Sequence, residues 1–456
     1  MTASSAWDRF CENVRTAAVA GAAEQFERLN WNSEQIERAQ SDGLRALLLY
    51  AAEHSPFHQR RLTGIDLTTI DPTHLSALPV MTKTDMMDHL DDVFTDRRLC
   101  RSDVEAALGA TGAQGVTILD DYVALASGGC SGRRGLFVFD QSAMTAYGAA
   151  LGRSPFTTPA SDVPSELRMA MVAAPSAVHA TGFFAALTAT GDWPIRYELV
   201  PATLPLSQIV KRLNTLQPPT LGGYASILEQ LAHEALAGRL RIAPAQVTAS
   251  SETLLPEIRS LITEAFGVPV LNFFACTEGL AGKTAKDDDV FTLNTDMCIV
   301  ELVDADNRPV PPGVASDKVL ITNLTNLIQP LIRYELNDVF VRQPDAPAHG
   351  HLRARVRGRS DEIMRYTDAE VHPIVIRSMM VKSPDVIDYQ VHQTESGIDV
   401  FAVTTDNLDV DDLTVQLRRA LADAGLDGAH VAVKRVDGLE RQAASGKLRR
   451  FVPIAR

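Results

Sequence analysis

The sequence contains few cysteines, no long apolar run and no secretory leader. Its five cysteines, in 456 residues, are widely spaced and form no C-x-x-C pair, so neither a disulfide framework nor a structural zinc site is expected. No stretch approaches the about 18 consecutive apolar residues of a membrane-spanning helix. The first residues include acidic side chains and lack the apolar core of a secretion signal. We therefore expect a cytoplasmic protein with no membrane partner.

The sequence also lacks an excess of positive charge. It has 43 basic and 57 acidic residues, and its formal net charge is −14. Phosphate backbones are bound by surplus lysine and arginine, so nucleic acid is not expected as a partner. The hydrophobic fraction of 45% and the charged fraction of 22% are typical of a globular protein. The length allows about three folding units, or one large α/β domain with a small appendage.

The clearest local pattern is a strand, a helix and a second strand. Residues 247–249 and 270–273 are β-prone, and residues 256–266 between them begin with proline and are followed by glycine, as helices often are. This order predicts a parallel strand pair. Open α/β sheets bind ligands beyond the carboxyl ends of their strands. The polar residues 250–252 and 275–278 should therefore face one crevice.

The pattern changes near residue 358. The following ~100 residues alternate strand-like segments with one helical segment, which is typical of a small α+β domain. The predicted fold class is α/β, with a large N-terminal domain of mixed or parallel sheets and a small α+β C-terminal domain. The predicted boundaries are 1–359 and 360–456.

A glycine-rich loop lies between two β-prone runs, at residues 126–135 (ASGGCSGRRG). Glycine allows positive φ, so successive backbone N–H groups can converge on an anion, assisted by serine and arginine side chains. The spacing is not that of a Walker loop. The alternative interpretation is an ordinary Gly/Ser hairpin turn.

Three charged residues are ambiguous when each is taken alone. Glu278 follows a buried strand and could hold a Mg²⁺ ion that bridges phosphates, or be a solvated loop carboxylate. Asp338 could accept hydrogen bonds from ribose hydroxyls, or close a turn. Lys447, near the C-terminus, is by itself best explained as a solvated residue.

The order of these segments resembles that of the adenylate-forming superfamily, which includes acyl-CoA synthetases, adenylation domains and luciferases. The resemblance is closest to the phenylacetate-CoA ligase-like branch and spans nearly the whole chain. It rests on the following segments, in order: residues 50–62, 78–86, 127–132, 250–259 and 272–279, then Asp338, Arg359, Asp361 and Lys447.

The resemblance implies that ATP is a substrate and Mg²⁺ a cofactor. Lys447, Thr277 and Glu278 would be catalytic, with Glu278 also holding Mg²⁺. Asp361 would be the hinge that makes the C-terminal domain mobile. The ATP-binding residues implied by the resemblance are Thr277 together with Ser127, Gly128, Gly129, Cys130, Ser131, Gly132, Arg133, Ser251, Glu252, Phe274, Asp338 and Arg359.

By the same resemblance, the carboxylate of an acid attacks the α-phosphate of ATP, and the acyl-adenylate then passes its acyl group to coenzyme A. A departure from the family bears on the acceptor: Thr367 and Asp368 replace the usual Arg-Gly, and an aspartate adds bulk and negative charge where the pantetheine arm would pass. Transfer to a carrier-protein thiol, an amine or a hydroxyl is therefore the alternative. An inactive nucleotide-binding relative is the second alternative. The resemblance also allows a homodimer.

The substrate is expected to be a small aromatic carboxylic acid. An α-amino acid would need a buried carboxylate for its ammonium group, and residues 174–191 and 221–228 contain no Asp or Glu. His179 could line the pocket or lie at the edge of the core. A benzoate- or anthranilate-type acid would fit a slot formed by His179, Gly182, Phe183, Gly223, Tyr224 and Ala275. Cys130 and Cys276 are not expected to be nucleophiles, because no acid–base partner accompanies either.

Overall fold

The computed structural model describes most of the chain, in two compact units, Met1–Arg357 and Gly358–Arg456. The described residues are 5–112, 114–127, 134–153, 167–286, 288–344, 350–371, 373–383, 385–443 and 445–454.

Thirteen α-helices lie within these described residues. Their bounds are α1 Ala6–Arg28, α2 Ser33–His54, α3 Pro56–Leu62, α4 Lys83–Asp88, α5 Leu90–Val93, α6 Arg101–Ala110, α7 Gln141–Gly152, α8 Ala180–Thr188, α9 Leu206–Leu216, α10 Ala225–Leu236, α11 Pro256–Phe266, α12 Pro373–Val381 and α13 Val410–Asp423.

The same part of the chain contains twenty-one strands. Their bounds are β1 Thr117–Ile118, β2 Tyr122–Ala126, β3 Leu136–Asp140, β4 Leu167–Ala173, β5 Ile195–Pro201, β6 Thr220–Tyr224, β7 Gln246–Ser250, β8 Val270–Ala275, β9 Ala281–Thr284, β10 Val290–Leu293, β11 Cys298–Val303, β12 Lys318–Asn323, β13 Tyr334–Leu336, β14 Asp338–Arg342, β15 Arg353–Arg359, β16 Met364–Arg365, β17 Glu370–Val371, β18 Val386–Thr394, β19 Gly397–Thr404, β20 His430–Arg435 and β21 Phe451–Val452.

Local sequence signals account for where several helices begin and end. Helix α1 follows Ser5, whose hydroxyl accepts a hydrogen bond from the Asp8 amide at 3.1 Å, while the Asp8 carboxylate accepts one from the Ser5 amide. Helix α11 has proline at its first position and ends at Gly267, which has a φ of +68°. The predicted helix at residues 256–266 is confirmed.

The N-terminal unit is built on a nine-stranded sheet with the order β14-β15-β10-β9-β8-β7-β6-β4-β5. Strands β5, β4, β6, β7 and β8 are parallel, whereas β9 and β10 continue the sheet antiparallel. The predicted parallel pair is β7 and β8. Two three-stranded sheets, β1-β2-β3 and β11-β12-β13, complete this unit. The predicted α/β class with mixed and parallel sheets is confirmed.

Helices cover the two faces of the large sheet differently. On one face, strand side chains such as Leu221 and Val247 pack under α9, α10 and α11 with Ile258. On the other face, Ala281 of β9 packs against Ala150 of α7. The burial of apolar area on both faces is what stabilises a parallel sheet of this kind.

A buried polar network joins α3 to the second small sheet. Nε2 of His58 lies 3.0 Å from the Pro330 carbonyl and therefore donates to it, while Nδ1 accepts from Arg61 at 3.1 Å. Burial and the Arg61 charge lower the pKa of His58 to about 3, so its imidazole is neutral. Arg333, which has a φ of +50°, donates to both carboxylate oxygens of Glu301 at 2.9 and 3.0 Å.

The C-terminal unit contains a four-stranded sheet, β20-β19-β18-β21, and a short β16-β17 hairpin. Helices α12 and α13 contribute Ile376 and Leu417 to its core. The strands and helix predicted from the sequence in this region are confirmed as β18, β19, α13 and β20. Among the described helices, none combines the length and apolarity that crossing a membrane requires.

Candidate active site

Two polar segments lie at the same edge of the large sheet, after β7 and β8. These strands are parallel and pair Ser250 with Phe273, so the residues that follow them leave the sheet side by side. Ser251 is exposed and has a φ of +65°. The carboxylate of Glu252 accepts a hydrogen bond from the Ser226 amide, at the first turn of α10, at 2.9 Å. The two segments from which a crevice was predicted therefore lie at one edge of the sheet.

The turn after β8 is held rigidly. Its backbone amide at Gly279 donates to the Cys276 carbonyl at 3.1 Å. The side chain of Asn323 donates to the Glu278 carbonyl at 2.8 Å, and that of Asn294 donates to the Gly279 carbonyl at 3.2 Å. Gly279 has a φ of +111°, and a Cβ there would lie 2.3 Å from Nδ2 of Asn323. The turn thus requires glycine and fixes the position of Glu278.

Glu278 and Asp338 place two carboxylates in a buried region. They are 6% and 9% exposed, respectively. Burial raises the pKa of the Cys276 thiol well above its usual value, and the charges of Glu278 and Asp338 raise it further. All three groups therefore lie close together. The thiol stays protonated, which agrees with the expectation that Cys276 is not a nucleophile.

Two buried tyrosines near this turn were not predicted from the sequence. Burial raises the pKa of Tyr147 and of Tyr334, and in both cases the charge of Glu278 adds to the effect. The hydroxyl of Tyr334 has no hydrogen-bond partner within the described parts of the chain. Neither tyrosine belongs to a short motif, and only the tertiary structure brings them to Glu278.

Aromatic packing forms a wall beside the turn. Phe274, predicted to contact ATP, packs edge-on against Phe340 with ring centroids 5.3 Å apart, and against Phe291 at 6.3 Å. Asp338 begins β14, the strand that also carries Phe340. Phe274 and Asp338 are thus brought to the same region of the N-terminal unit.

The glycine-rich segment follows β2 and precedes β3 in the chain, and these two strands pair antiparallel. Its ends are joined because Ser127 N donates to the Gly135 carbonyl at 3.0 Å and Gly135 N donates to the Ser127 hydroxyl at 2.9 Å. Arg134 is exposed. The following predicted ATP-binding residues lie outside the described residues: Gly128, Gly129, Cys130, Ser131, Gly132 and Arg133.

The aromatic residues of the predicted acyl slot belong to the core. Phe183 of α8 is 1% exposed and meets the edge of the Trp7 ring at a centroid distance of 5.5 Å. Tyr224 is also buried, and its hydroxyl oxygen accepts a hydrogen bond from the Ala174 amide at 2.9 Å. Packing thus accounts for both rings.

The smaller residues of that predicted slot have different surroundings. A Cβ at Gly182 would lie 2.2 Å from the Ser176 carbonyl oxygen, so this glycine allows a close backbone approach. Gly223 lies within β6, where a Cβ would be 3.2 Å from the Val172 carbonyl oxygen. His179 precedes the first residue of α8. Ala275, at the end of β8, is half-exposed beside the turn that carries Glu278.

The C-terminal unit holds the remaining predicted residues. Arg359 donates to both oxygens of the Asp361 carboxylate, at 2.8 and 3.0 Å. Lys447 lies in a loop where its amide donates to the Ser445 hydroxyl at 3.3 Å and its carbonyl accepts from the Gln442 amide at 3.0 Å. Gly446, just before it, has a φ of +74°.

Asp368 lies at the exposed tip of the β16-β17 hairpin. The turn is closed by a hydrogen bond from the Tyr366 amide to the Ala369 carbonyl at 2.8 Å. The Asp368 carboxylate is thus exposed at a tight turn, in the segment where the sequence departs from the family.

The donor chemistry at Glu278 suits one kind of metal site. The described residues contain no group of three or more His, Cys, Asp or Glu side chains that could hold a metal. Mg²⁺ commonly binds through one or two carboxylates and takes its other ligands from phosphate oxygens and water. A single buried carboxylate fits a Mg²⁺ ion that takes its other ligands from phosphate oxygens and water, and does not fit a closed structural site.

Comparison with known proteins gives several matches. No family model matches the chain. The chain is 23% identical over 394 residues to the phenylacetate-coenzyme A ligase of Thermus thermophilus, covering 80% of this chain and 79% of that protein. It is 23% identical over 225 residues to protein CapK of Staphylococcus aureus, covering 47% of this chain and 49% of that protein. The match thus spans about half the length of CapK.

Solved structures share the fold at low sequence identity. A 2-hydroxyisobutyryl-CoA ligase superposes with a TM-score of 0.70 at 17% identity, covering 94% of this chain and 91% of that one. An amide bond synthetase from Marinactinospora thermotolerans superposes with a TM-score of 0.52 at 16% identity, covering 70% and 66%.

The nine-stranded mixed sheet, the rigid turn that carries Glu278 and these similarities define an adenylate-forming fold. The chain shares the fold of adenylate-forming enzymes. Its sequence is similar to those of phenylacetate-coenzyme A ligases.

Proposed function

We propose that the protein activates an aromatic carboxylic acid with ATP, forming an acyl-adenylate and releasing pyrophosphate. The observation that carries the proposal is the buried Glu278 carboxylate, which follows Thr277 on a turn fixed by Asn323 and lies near Asp338. In this proposal residues 1–359 bind ATP and the acid, and residues 360–456 supply Lys447.

In the activation step a carboxylate oxygen of the acid attacks the α-phosphorus of ATP. The bond from that phosphorus to the oxygen that bridges it to the β-phosphate breaks, and pyrophosphate leaves with the electron pair. Negative charge develops around the α-phosphate, so donors and cations placed there lower the barrier. Thr277 donates its hydroxyl to the α-phosphate, and Lys447 bridges carboxylate and phosphate oxygens. Mg²⁺ held by Glu278 would supply positive charge to the phosphate oxygens.

The other residues bind the nucleotide. Asp338 accepts hydrogen bonds from the ribose hydroxyls, and Arg359 contacts the same part of ATP. Phe274 and the segment at Ser251 and Glu252 form the adenine side. The glycine-rich segment, residues 127–134, binds the leaving pyrophosphate. These roles follow the resemblance and agree with the shared sheet edge at which β7 and β8 end.

A pyrophosphate-release assay over aromatic and aliphatic acids tests this proposal. Wild-type protein should release pyrophosphate with at least one aromatic acid. Lys447→Ala and Glu278→Gln should each lower the rate by about a hundredfold or more, because each removes charge stabilisation from the transition state. Lys382→Ala, which removes an exposed lysine of the same unit, is the matched control and should leave the rate unchanged. Wild-type rates that are independent of acid would contradict the proposal.

In the second step, after rotation of the C-terminal unit about Asp361, the thiol of coenzyme A loses its proton to solvent and attacks the acyl carbon of the adenylate. The bond from that carbon to the phosphate oxygen breaks, and AMP leaves with the electron pair. Two observations favour an alternative acceptor, a carrier-protein thiol, an amine or a hydroxyl. Asp368 stands at an exposed tip where thioester-forming relatives have glycine, and one structure with this fold is an amide bond synthetase. Radiolabelled acid supplied with and without CoA separates the two. CoA-dependent product supports the thioester, and product formed without CoA supports the alternative.

A further inference from the structure

Near the proposed active site, several side chains on the α7 face of the large sheet are only half-buried among the described residues. Strands β7 and β8 lie in the interior of the sheet, and Val247 and Val270 on one face are completely buried under helices. On the opposite face, Thr248, Phe273 and Ala275 are only half-buried. Phe273 and Ala275 pack partly against the cluster of Ala150 and Met297, and the strip that they leave exposed is a candidate binding surface.

One end of this strip lies at the turn that carries Thr277 and Glu278. Ala275 pairs with Ala281 across β8 and β9 directly beside that turn, and the next rung on the same face pairs Phe273 with Lys283. Successive residues on one face of a strand are about 7 Å apart, so Lys283 lies about that much farther from the turn.

Lys283 is a half-buried cation whose charge is not balanced by a partner among the described residues. In the described residues its ammonium group has neither an ion pair nor a hydrogen bond. Burial and the charge of Arg153 lower the pKa of Lys283 to about 8, so the amine keeps its proton at neutral pH. A desolvated charge of this kind costs stability unless a partner of opposite charge binds it.

The carboxylate that pairs with Arg153 is already engaged. Asp296 is fully buried and accepts two hydrogen bonds from Arg153, at 2.6 and 2.9 Å. Arg28 approaches the same carboxylate at 3.8 Å. His351 also faces it, and burial lowers the pKa of that imidazole and keeps it neutral. Two guanidinium groups thus share one carboxylate, and this carboxylate does not neutralise Lys283. The positive charge of Lys283 is therefore available to a ligand.

We propose that Lys283 determines substrate specificity by binding a second anionic group, a carboxylate, at the far end of the acid. The proposal rests on the proposed function, which places the activated carboxylate at the Thr277 turn. A flat ring lying over Ala275 and Phe273 spans the strip from that turn to the lysine. The substrate class is therefore an aromatic acid with a second carboxylate. The absence of acidic residues in residues 174–191 and 221–228 agrees with a pocket that binds anions.

Pyrophosphate release with matched acids tests this. The ortho-, meta- and para-carboxybenzoates are each compared with the methylbenzoate of the same geometry, which is similar in size but has one charge fewer. Wild-type protein should prefer at least one dicarboxylate over its methyl counterpart by tenfold or more in kcat/KM. Lys283→Met should lower kcat/KM for that dicarboxylate by about ten- to a hundredfold, mainly through KM, and leave the methylbenzoate rate unchanged or raised.

Two further variants serve as controls. Lys283→Arg keeps the positive charge and should retain most of the preference. Lys286→Met removes an exposed lysine on the segment after β9 and should not change the preference. If Lys283→Met fails to fold, as judged by circular dichroism, Lys283→Gln replaces it.

The outcomes separate this inference from the proposed function. If wild-type protein releases pyrophosphate but prefers no dicarboxylate, or if the Lys283 variants keep the wild-type preference, the inference is wrong and the proposed function stands. If folded wild-type protein releases no pyrophosphate with any of the acids tested, the proposed function itself fails.

Discussion

Gly279 shows how a single residue fixes the candidate active site. Its φ of +111° lies in the region that favours glycine, and a Cβ would collide with the Asn323 side chain that holds the Glu278 carbonyl. The position of Glu278 therefore depends on residue 279 having no Cβ atom.

Replacement of Gly279 by alanine should lower both stability and activity. We expect a loss of about 2 to 4 kcal/mol in the free energy of unfolding, from backbone strain together with displacement of Asn323. Urea denaturation measures the first effect and pyrophosphate release the second. Gly313→Ala is the matched control, because Gly313 has a φ of +83° but open space around its Cβ position. Equal losses in the two variants would show that the contact with Asn323 is unimportant.

His58 should make the stability of the protein depend on pH. Its pKa of about 3 in the folded protein is below the ordinary value of about 6.5, so at intermediate pH the unfolded chain binds a proton that the folded chain does not. Stability should therefore fall as the pH decreases from about 6.5 towards 3.

His58→Gln tests this dependence. The amide can donate to the Pro330 carbonyl but does not titrate, so the variant should be less stable than wild type at about pH 7, with a difference that narrows at about pH 4.5. Urea midpoints at the two pH values give the comparison. His430→Gln, at an exposed histidine, should keep the wild-type slope. A His58→Gln variant with an unchanged slope would rule out the neutral imidazole.

At the scale of elements, the end of α7 is joined to the loop before β11 by the Arg153 and Asp296 ion pair. The two side chains are 3% and 0% exposed. Asn294, in the same loop, holds the turn after β8 through the Gly279 carbonyl. The helix end and the candidate active site are therefore connected through a few buried contacts.

Asp296→Asn should destabilise the N-terminal unit strongly. It leaves the guanidinium of Arg153 buried without a counter-charge, which typically costs about 3 to 5 kcal/mol. Chemical denaturation measures the change. Glu34→Gln breaks the exposed Glu34 and Arg38 pair of α2 and should cost less than about 1 kcal/mol. A mild effect of Asp296→Asn would mean that water reaches Arg153.

Elements with local signals could be predicted from the sequence, and long-range pairings could not. Pro256 and Gly267 allowed α11 to be predicted, and the β-prone segments on either side of it were correctly predicted as β7 and β8. The crevice with Glu278 was inferred from the ends of these two strands. The antiparallel strands β9 and β10 follow β8 directly in the chain, whereas the pairing of β10 with β15 joins residues far apart in sequence. Lys283 was missed because its charge environment depends on Arg153, which is also far away in sequence. The aromatic residues Phe183 and Tyr224 were placed in the slot by type, whereas packing accounts for them.

At the scale of the whole molecule, the chain divides into two units at a segment that the family resemblance identifies as a hinge. The division falls between residues 357 and 358, within β15. Gly358 has a φ of +115°, and the Arg359 and Asp361 ion pair follows at once. Both side chains of this pair belong to the C-terminal unit.

If the units rotate between the two half-reactions, Asp361→Ala should impair the second half-reaction more than the first. We expect pyrophosphate release in a single turnover to change less than threefold, and acyl transfer to fall by tenfold or more, because the backbone loses the side chain that orders it. Quenched-flow analysis of acyl-adenylate and final product separates the steps. Asp437→Ala, at an exposed position of the same unit, should affect neither. Equal losses in both steps would argue against a hinge at Asp361.

The outermost strand of the large sheet, β5, bears on how two molecules could meet. Its free edge carries Arg196 and Glu198 and terminates at Pro201, which has no amide hydrogen to donate. Mixed charges and a terminal proline make this edge a poor template for a strand from another copy. Polymerisation of the protein through the β5 edge is therefore disfavoured.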